Sequence, residues 1–239
     1  MTKFGHRLCS LLTIAATIVS AAALCSASPA TAQDTKRPAD AKRGAVIAAQ
    51  GNTAKAPACA LCHAFDGASD GSGAFPRIAG QSAYYLSQQL RAYGSGVRAN
   101  AIMVPIARGL SPEDIADVAS YYASLETPFP PLADPNPDLV KRGKQLAETG
   151  NATKGIPGCD DCHGAEGAGR PPTLPYLAGQ YASYTALQLR MWKRGFRRDN
   201  PETMVLFAKK LDDQEIAAIA AYYQQIRSST PAAAPRKKD

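Results

Sequence analysis

Two short segments carry side chains whose types and spacing can do chemistry: Cys59-Ala60-Leu61-Cys62-His63 and Cys159-Asp160-Asp161-Cys162-His163. In each, two thiols stand three residues apart, about one helical turn, and an imidazole follows at once. That is the spacing of c-type haem attachment. Both thiols can reach the vinyl groups on one edge of a porphyrin and form thioethers, and the histidine then lies under the ring with a nitrogen toward iron. Paired cysteines have other uses, which fit less well. A thioredoxin-like redox pair needs a βαβ setting, which this sequence lacks. A zinc site would have to gather Cys59, Cys62, Cys159 and Cys162 from pairs 97 residues apart. Two plain disulfides would leave His63 and His163 without a role. The reading is therefore two haem c groups, attached through Cys59, Cys62, Cys159 and Cys162, with His63 and His163 as iron ligands.

The second axial ligand follows from what else the chain offers. Beyond the first 32 residues it has only His63 and His163, so bis-histidine coordination within one chain is excluded. Thioether sulfur is the usual partner of histidine in cytochromes c and raises the potential. Of the three available methionines, Met103 lies eight residues before Ser111 and Met204 eight before Asp212, and both of those residues read as helix caps. Met191 aligns with Ala92 inside a helix and reads as core filler. Met103 and Met204 are thus the expected ligands.

The elements that must position these donors are written twice. Lys42-Arg43-Gly44 recurs as Lys141-Arg142-Gly143, Pro76-Arg77-Ile78-Ala79-Gly80-Gln81 as Pro175-Tyr176-Leu177-Ala178-Gly179-Gln180, and Gln89-Leu90-Arg91 as Gln188-Leu189-Arg190. The offset drifts only between 99 and 101, which marks an internal duplication. Apolar residues at helical period (Ile115, Val118, Ala119, Tyr122; Ile216, Ile219, Ala220, Tyr223) close each copy. Capping signals precede both runs, Ser111 with Asp114 and Asp212 with Glu215. Further helices are expected near 39–50, 81–93, 137–149 and 180–194, and no alternating β-branched run suggests a sheet. The expectation is an all-α chain of two tandem class I cytochrome c-like domains, 33–127 and 137–227. A proline-rich linker (128–136) would join them, and an Ala/Pro/Lys-rich tail (228–239) would follow, disordered by its composition.

Other repeated residues admit two readings each. Pro76 and Pro175 either set a carbonyl against the proximal imidazole N–H or merely shape a loop. Gly44 and Gly143, with the repeated tyrosines, allow first and last helices to cross closely. Arg190, Lys193, Arg194, Arg197 and Arg198 either neutralise haem propionates, steer an acidic partner, or form a solvated helix face.

Lys3 and Arg7 precede an apolar run from Leu8 to Leu24 that ends in small residues at Ala30-Thr31-Ala32, the pattern of a cleaved secretory signal, residues 1–32. Its removal lowers the formal charge from +7 to +5 and takes away Cys9 and Cys25. The remaining basic residues are scattered, with no recognition motif for nucleic acid. No later stretch is apolar enough for a transmembrane span, so an exported, periplasmic protein is expected.

Taken together, these residues resemble the diheme cytochrome c4 family, in which two class I cytochrome c domains share one chain. The resemblance covers nearly all of the chain after the leader. It implies a periplasmic single-electron carrier, soluble or loosely membrane-associated, between a quinol-oxidising complex and a terminal oxidase. It also implies lobes packed about a pseudo-twofold axis with haem propionate edges facing each other. Two alternatives stay open: a diheme electron-transfer subunit of a periplasmic dehydrogenase, and a diheme redox enzyme, which would need a displaceable iron ligand.

Overall fold

The computed structural model describes residues 37–53, 55–129, 136–200 and 202–227. The expected leader, most of the linker and the tail lie outside the described residues. The helices run α1 (Ala41–Gln50), α2 (Ala60–His63), α3 (Ala83–Ser95), α4 (Met103–Arg108), α5 (Pro112–Ala123), α6 (Pro137–Thr149), α7 (Cys159–His163), α8 (Ala182–Lys193), α9 (Met204–Lys210) and α10 (Asp213–Gln225). Short 3₁₀ turns stand at Ala152–Lys154 and Ala165–Gly167. Among the described residues no strand forms, only isolated bridges such as Arg98 with Arg197. The chain is all-α, with α1–α5 in one lobe repeated as α6–α10 in the other.

Local chemistry explains where the helices begin. Ser111 accepts a hydrogen bond from the Asp114 amide at 3.0 Å while Asp114 accepts one from the Ser111 amide at 3.1 Å, a reciprocal capping box. Asp212 and Glu215 repeat it at the start of α10. Asn136 caps α6 and Pro137 occupies its first turn, where no amide donor is needed. α4 and α9 had read as methionine-bearing loops; instead each is a short helix that its methionine begins.

The first and last long helices of each lobe cross at a glycine. A Cβ on Gly44 would collide with the Asp117 carbonyl and crowd Tyr121, and one on Gly143 would collide with the Ala218 carbonyl and crowd Tyr222. The glycines are there for close approach, as the duplication suggested. Behind α6 and α10 lies one continuous apolar cluster that includes Leu146, Leu189, Trp192, Ile216, Ile219 and Tyr223. The first lobe divides its buried apolar residues into two smaller clusters, one about Ile47, Leu110, Ile115 and Val118, the other about Ala48, Tyr121 and Tyr122.

Candidate haem-binding sites

The attachment segments fold as single helical turns. Cys59 caps α2 and Cys62 lies within it, while α7 begins at Cys159 and carries Cys162. Both turns end at the histidine, and the backbone reverses through positive φ at Ala64 (57°) and Gly164 (78°). The reversal brings the next loop back under the imidazole. His63 Nδ1 donates to the Pro76 carbonyl at 3.1 Å, and His163 Nδ1 donates to the Pro175 carbonyl at 2.9 Å. A carbonyl only accepts, so Nδ1 carries the proton and Nε2 keeps its lone pair. Both histidines are buried. Burial pulls their pKa below the usual histidine value against the opposing effect of the proline carbonyls, so both rings are neutral donors. Of the two readings of Pro76 and Pro175, the carbonyl contact is the one observed.

Cys59 and Cys159 sit against the apolar clusters of their lobes. Burial pushes both thiols up to about 11, the reverse of the activated thiolate that a thioredoxin-like cysteine needs. Met103, half-buried, is fixed by Asn100, whose Oδ1 accepts from the amides of Ile102 at 2.9 Å and Met103 at 2.8 Å. Met204, also half-buried, packs against the second lobe's core. Met191 is half-buried on α8 and stands outside that cluster, so it is less of a core residue than the sequence suggested.

The repeated Pro-x-x-Ala-Gly-Gln segments do a second job, which the sequence did not reveal. Gln180 Oε1 accepts from the Arg77 amide at 3.0 Å and its Nε2 donates to the Arg77 carbonyl at 2.9 Å. Gln81 does the same to Tyr176, with Nε2 donating to the carbonyl at 3.2 Å and Oε1 accepting from the amide at 3.4 Å. Each lobe thus reads the other's backbone in a twofold exchange. Two more bonds extend the pattern: Ala99 N donates to the Phe196 carbonyl at 2.9 Å and Arg198 N to the Val97 carbonyl at 2.8 Å. The signal was available, since a glutamine recurring in an apolar segment of both copies has a polar task to perform.

The basic run divides. Arg194 and Arg198 are exposed, Arg190 pairs with Asp213 at 3.2 Å, and Lys193 donates to the Leu211 carbonyl. Arg197 is buried at the junction instead, only 2% exposed, stacked on Trp192 and bonded to Asp199 at 2.9 Å. A solvated face describes part of the run and not this member.

Two protonated thiols one turn apart, beside a neutral imidazole whose Nδ1 is already engaged, suit a covalently held porphyrin in each lobe. Comparison with known proteins agrees. The family model described as cytochrome c matches residues 41–126 and again 140–227. A cytochrome c4 from Pseudomonas aeruginosa is 38% identical over 72% of this chain and 85% of its own. A thiosulfate dehydrogenase electron acceptor from Stutzerimonas stutzeri is 36% identical over 79% of this chain and 88% of its own. Among solved structures, reduced recombinant cytochrome c4 from Pseudomonas stutzeri superposes with a TM-score of 0.69 at 32% identity, covering 79% of this chain and 99% of that one.

Proposed function

This chain belongs to the diheme cytochrome c4 family and carries two haem c groups, and from that premise we propose that it relays single electrons in the periplasm through two six-coordinate centres. Cys59 and Cys62 hold one haem and Cys159 and Cys162 the other. The axial ligands are His63 with Met103 and His163 with Met204. Each haem, when bound, supplies an iron that changes by one electron. The residues around it prevent other chemistry. Pro76 and Pro175 fix the imidazoles through Nδ1, and a thioether opposite leaves no open position for a substrate. An unchanged ligand set keeps reorganisation small, and thioether ligation favours a relatively high potential. The observation that carries this reading is the pair of imidazole–carbonyl bonds, which leaves Nε2 available in both lobes.

The donor is a quinol-oxidising complex and the acceptor a terminal oxidase or similar, met at the membrane surface; among the described residues no helix is long and apolar enough to cross a membrane. A second reading has a specific support: the relative named as a thiosulfate dehydrogenase electron acceptor makes a periplasmic dehydrogenase an alternative donor. Comparing reduction rates with a purified quinol-oxidising complex and with a thiosulfate dehydrogenase separates the two. The ligand set is tested by visible spectra and redox titration of the holoprotein, with Met103→Ala and Met204→Ala each expected to abolish the methionine–iron band at one centre only. Loss of a band in Met191→Ala, or rapid carbon monoxide binding to the reduced wild type, would overturn the assignment.

A further inference from the structure

At the lobe junction two arginines at equivalent places in the copies, Arg98 and Arg197, are bridged antiparallel and are 3% and 2% exposed. Their surroundings differ. Arg197 has the carboxylate of Asp199, which it meets through Nε at 2.9 Å and through Nη2 at 3.1 Å. Arg98 has only neutral acceptors: Gln89 Oε1 at 2.6 Å, Tyr184 hydroxyl at 2.7 Å and Gln188 Oε1 at 2.6 Å, with the Tyr93 ring 4.4 Å away. None of the ion pairs among the described residues includes Arg98. Two guanidiniums therefore face one carboxylate in a buried site. Arginine does not shed its proton, and a buried charge without a counter-ion is costly. Such a site calls for another anion.

Each haem c brings two carboxylates. We infer that the Arg98–Arg197–Asp199 cluster is the counter-charge site for haem carboxylates at the lobe junction, and that its net positive charge raises the reduction potential of at least one haem. The inference rests on the diheme, methionine-ligated reading above. The ferric centre carries one more positive charge than the ferrous one, so a nearby buried cation favours the electron. Asp199, present only in the second copy, offsets part of that effect. Arg98 and Arg197 are positioning residues here and take no part in iron ligation.

The holoprotein is titrated redox-potentiometrically, with the visible spectrum followed, as wild type, Arg98→Gln, Arg98→Lys and Asp199→Asn. Arg98→Gln is expected to lower at least one potential, changing that haem's reduced-to-oxidised ratio about tenfold at fixed ambient potential, the order expected of one buried unit charge. Arg98→Lys keeps the charge and restores most of the shift, whereas Asp199→Asn moves the potential the opposite way. The exposed Arg194→Gln control gives a smaller shift that high salt removes. Potentials unchanged in both Arg98→Gln and Asp199→Asn, with both methionine–iron bands intact, overturn the inference. Should Arg98→Gln fail to fold, Asp199→Asn decides alone, because it adds net positive charge without removing a guanidinium. A wild type with one haem, or lacking a methionine band, refutes the underlying reading instead.

Discussion

The two lobes hold the same donors on different supports. In the first, Asp117 is wholly buried on α5 and gathers Arg37 at 2.6 Å, Arg43 at 2.5 Å and the Asp40 amide at 2.7 Å. Its counterpart at the same helix crossing is Ala218, and that crossing joins the continuous apolar cluster of the second lobe. The second lobe ties the Tyr223 hydroxyl to the Asp160 carboxylate at 2.7 Å, whereas the Tyr122 hydroxyl reaches the Ala64 carbonyl at 3.3 Å. Against these differences, the histidine–proline carbonyl bond, the capping box and the close glycine crossing are the same in both. Features that present an iron ligand or let the helices meet have been kept since the duplication. Features that only add stability have been exchanged, ion pairs on one side for apolar packing on the other.

Equivalence at the crossing predicts the largest effect. Gly44→Ala and Gly143→Ala each force a methyl into a facing backbone carbonyl, which cannot swing away as a side chain would. Each is expected to cost about 3 kcal/mol, at the upper end of ordinary overpacking, measured by chemical denaturation of the holoprotein. A penalty confined to one variant would break the equivalence.

The next test sharpens the contrast. Asp117→Asn removes the charge that holds Arg37 and Arg43 and is expected to cost about 2 kcal/mol, the scale of charged hydrogen bonds. The pH sign follows from the carboxyl's environment. Burial pushes the Asp117 pKa up, but the bonds from Arg37, the Asp40 amide and Arg43 outweigh it and hold the group below its ordinary value. A depressed carboxylate stabilises fully above its unfolded pKa, roughly 4, and loses that contribution as pH falls through its lower folded value. The gap between wild type and Asp117→Asn should therefore be full at neutrality and close in acid. A gap that persists at the acid end would show that packing, and not charge, is what Asp117 supplies.

The helices, their caps, the glycine crossings and the candidate ligands were legible because each rests on local pattern, and the duplication let one copy check the other. What stayed hidden depends on contacts across the pseudo-twofold axis. Gln81 and Gln180 act on backbone some hundred residues away, so no local pattern reveals their partners. Arg197 read as one member of a basic run because its neighbours Arg194 and Arg198 are solvated; burial against Trp192 is a tertiary fact. Arg98 went unnoticed although Gly96-Val97-Arg98 repeats as Gly195-Phe196-Arg197, a signal of the same kind that identified Met103 and Met204. The helical start of α4 was missed for a different reason. Asn100 caps the turn from outside the short helix, and six residues leave too little periodicity to detect.

The smallest expected effect concerns the turn after each histidine. Ala64 adopts φ 57° and ψ 161°, and Gly164 adopts φ 78° and ψ 158°. That region is nearly reserved for glycine, and a side chain there costs on the order of 1–3 kcal/mol. Ala64→Gly relieves the strain but gives back roughly 0.5–1 kcal/mol through the freer unfolded chain. The net expectation is a gain of about 1 kcal/mol, with the visible spectrum unchanged because Pro76 still holds His63. Gly164→Ala should do the opposite, with a further penalty from a Cβ placed 2.9 Å from the Gly169 carbonyl oxygen. Opposite signs at the two positions would mean that both lobes demand the same backbone and the first tolerates a poorer residue for it. A loss on Ala64→Gly would mean that the alanine methyl contributes packing worth more than the strain, so that the first lobe has built its turn on different terms.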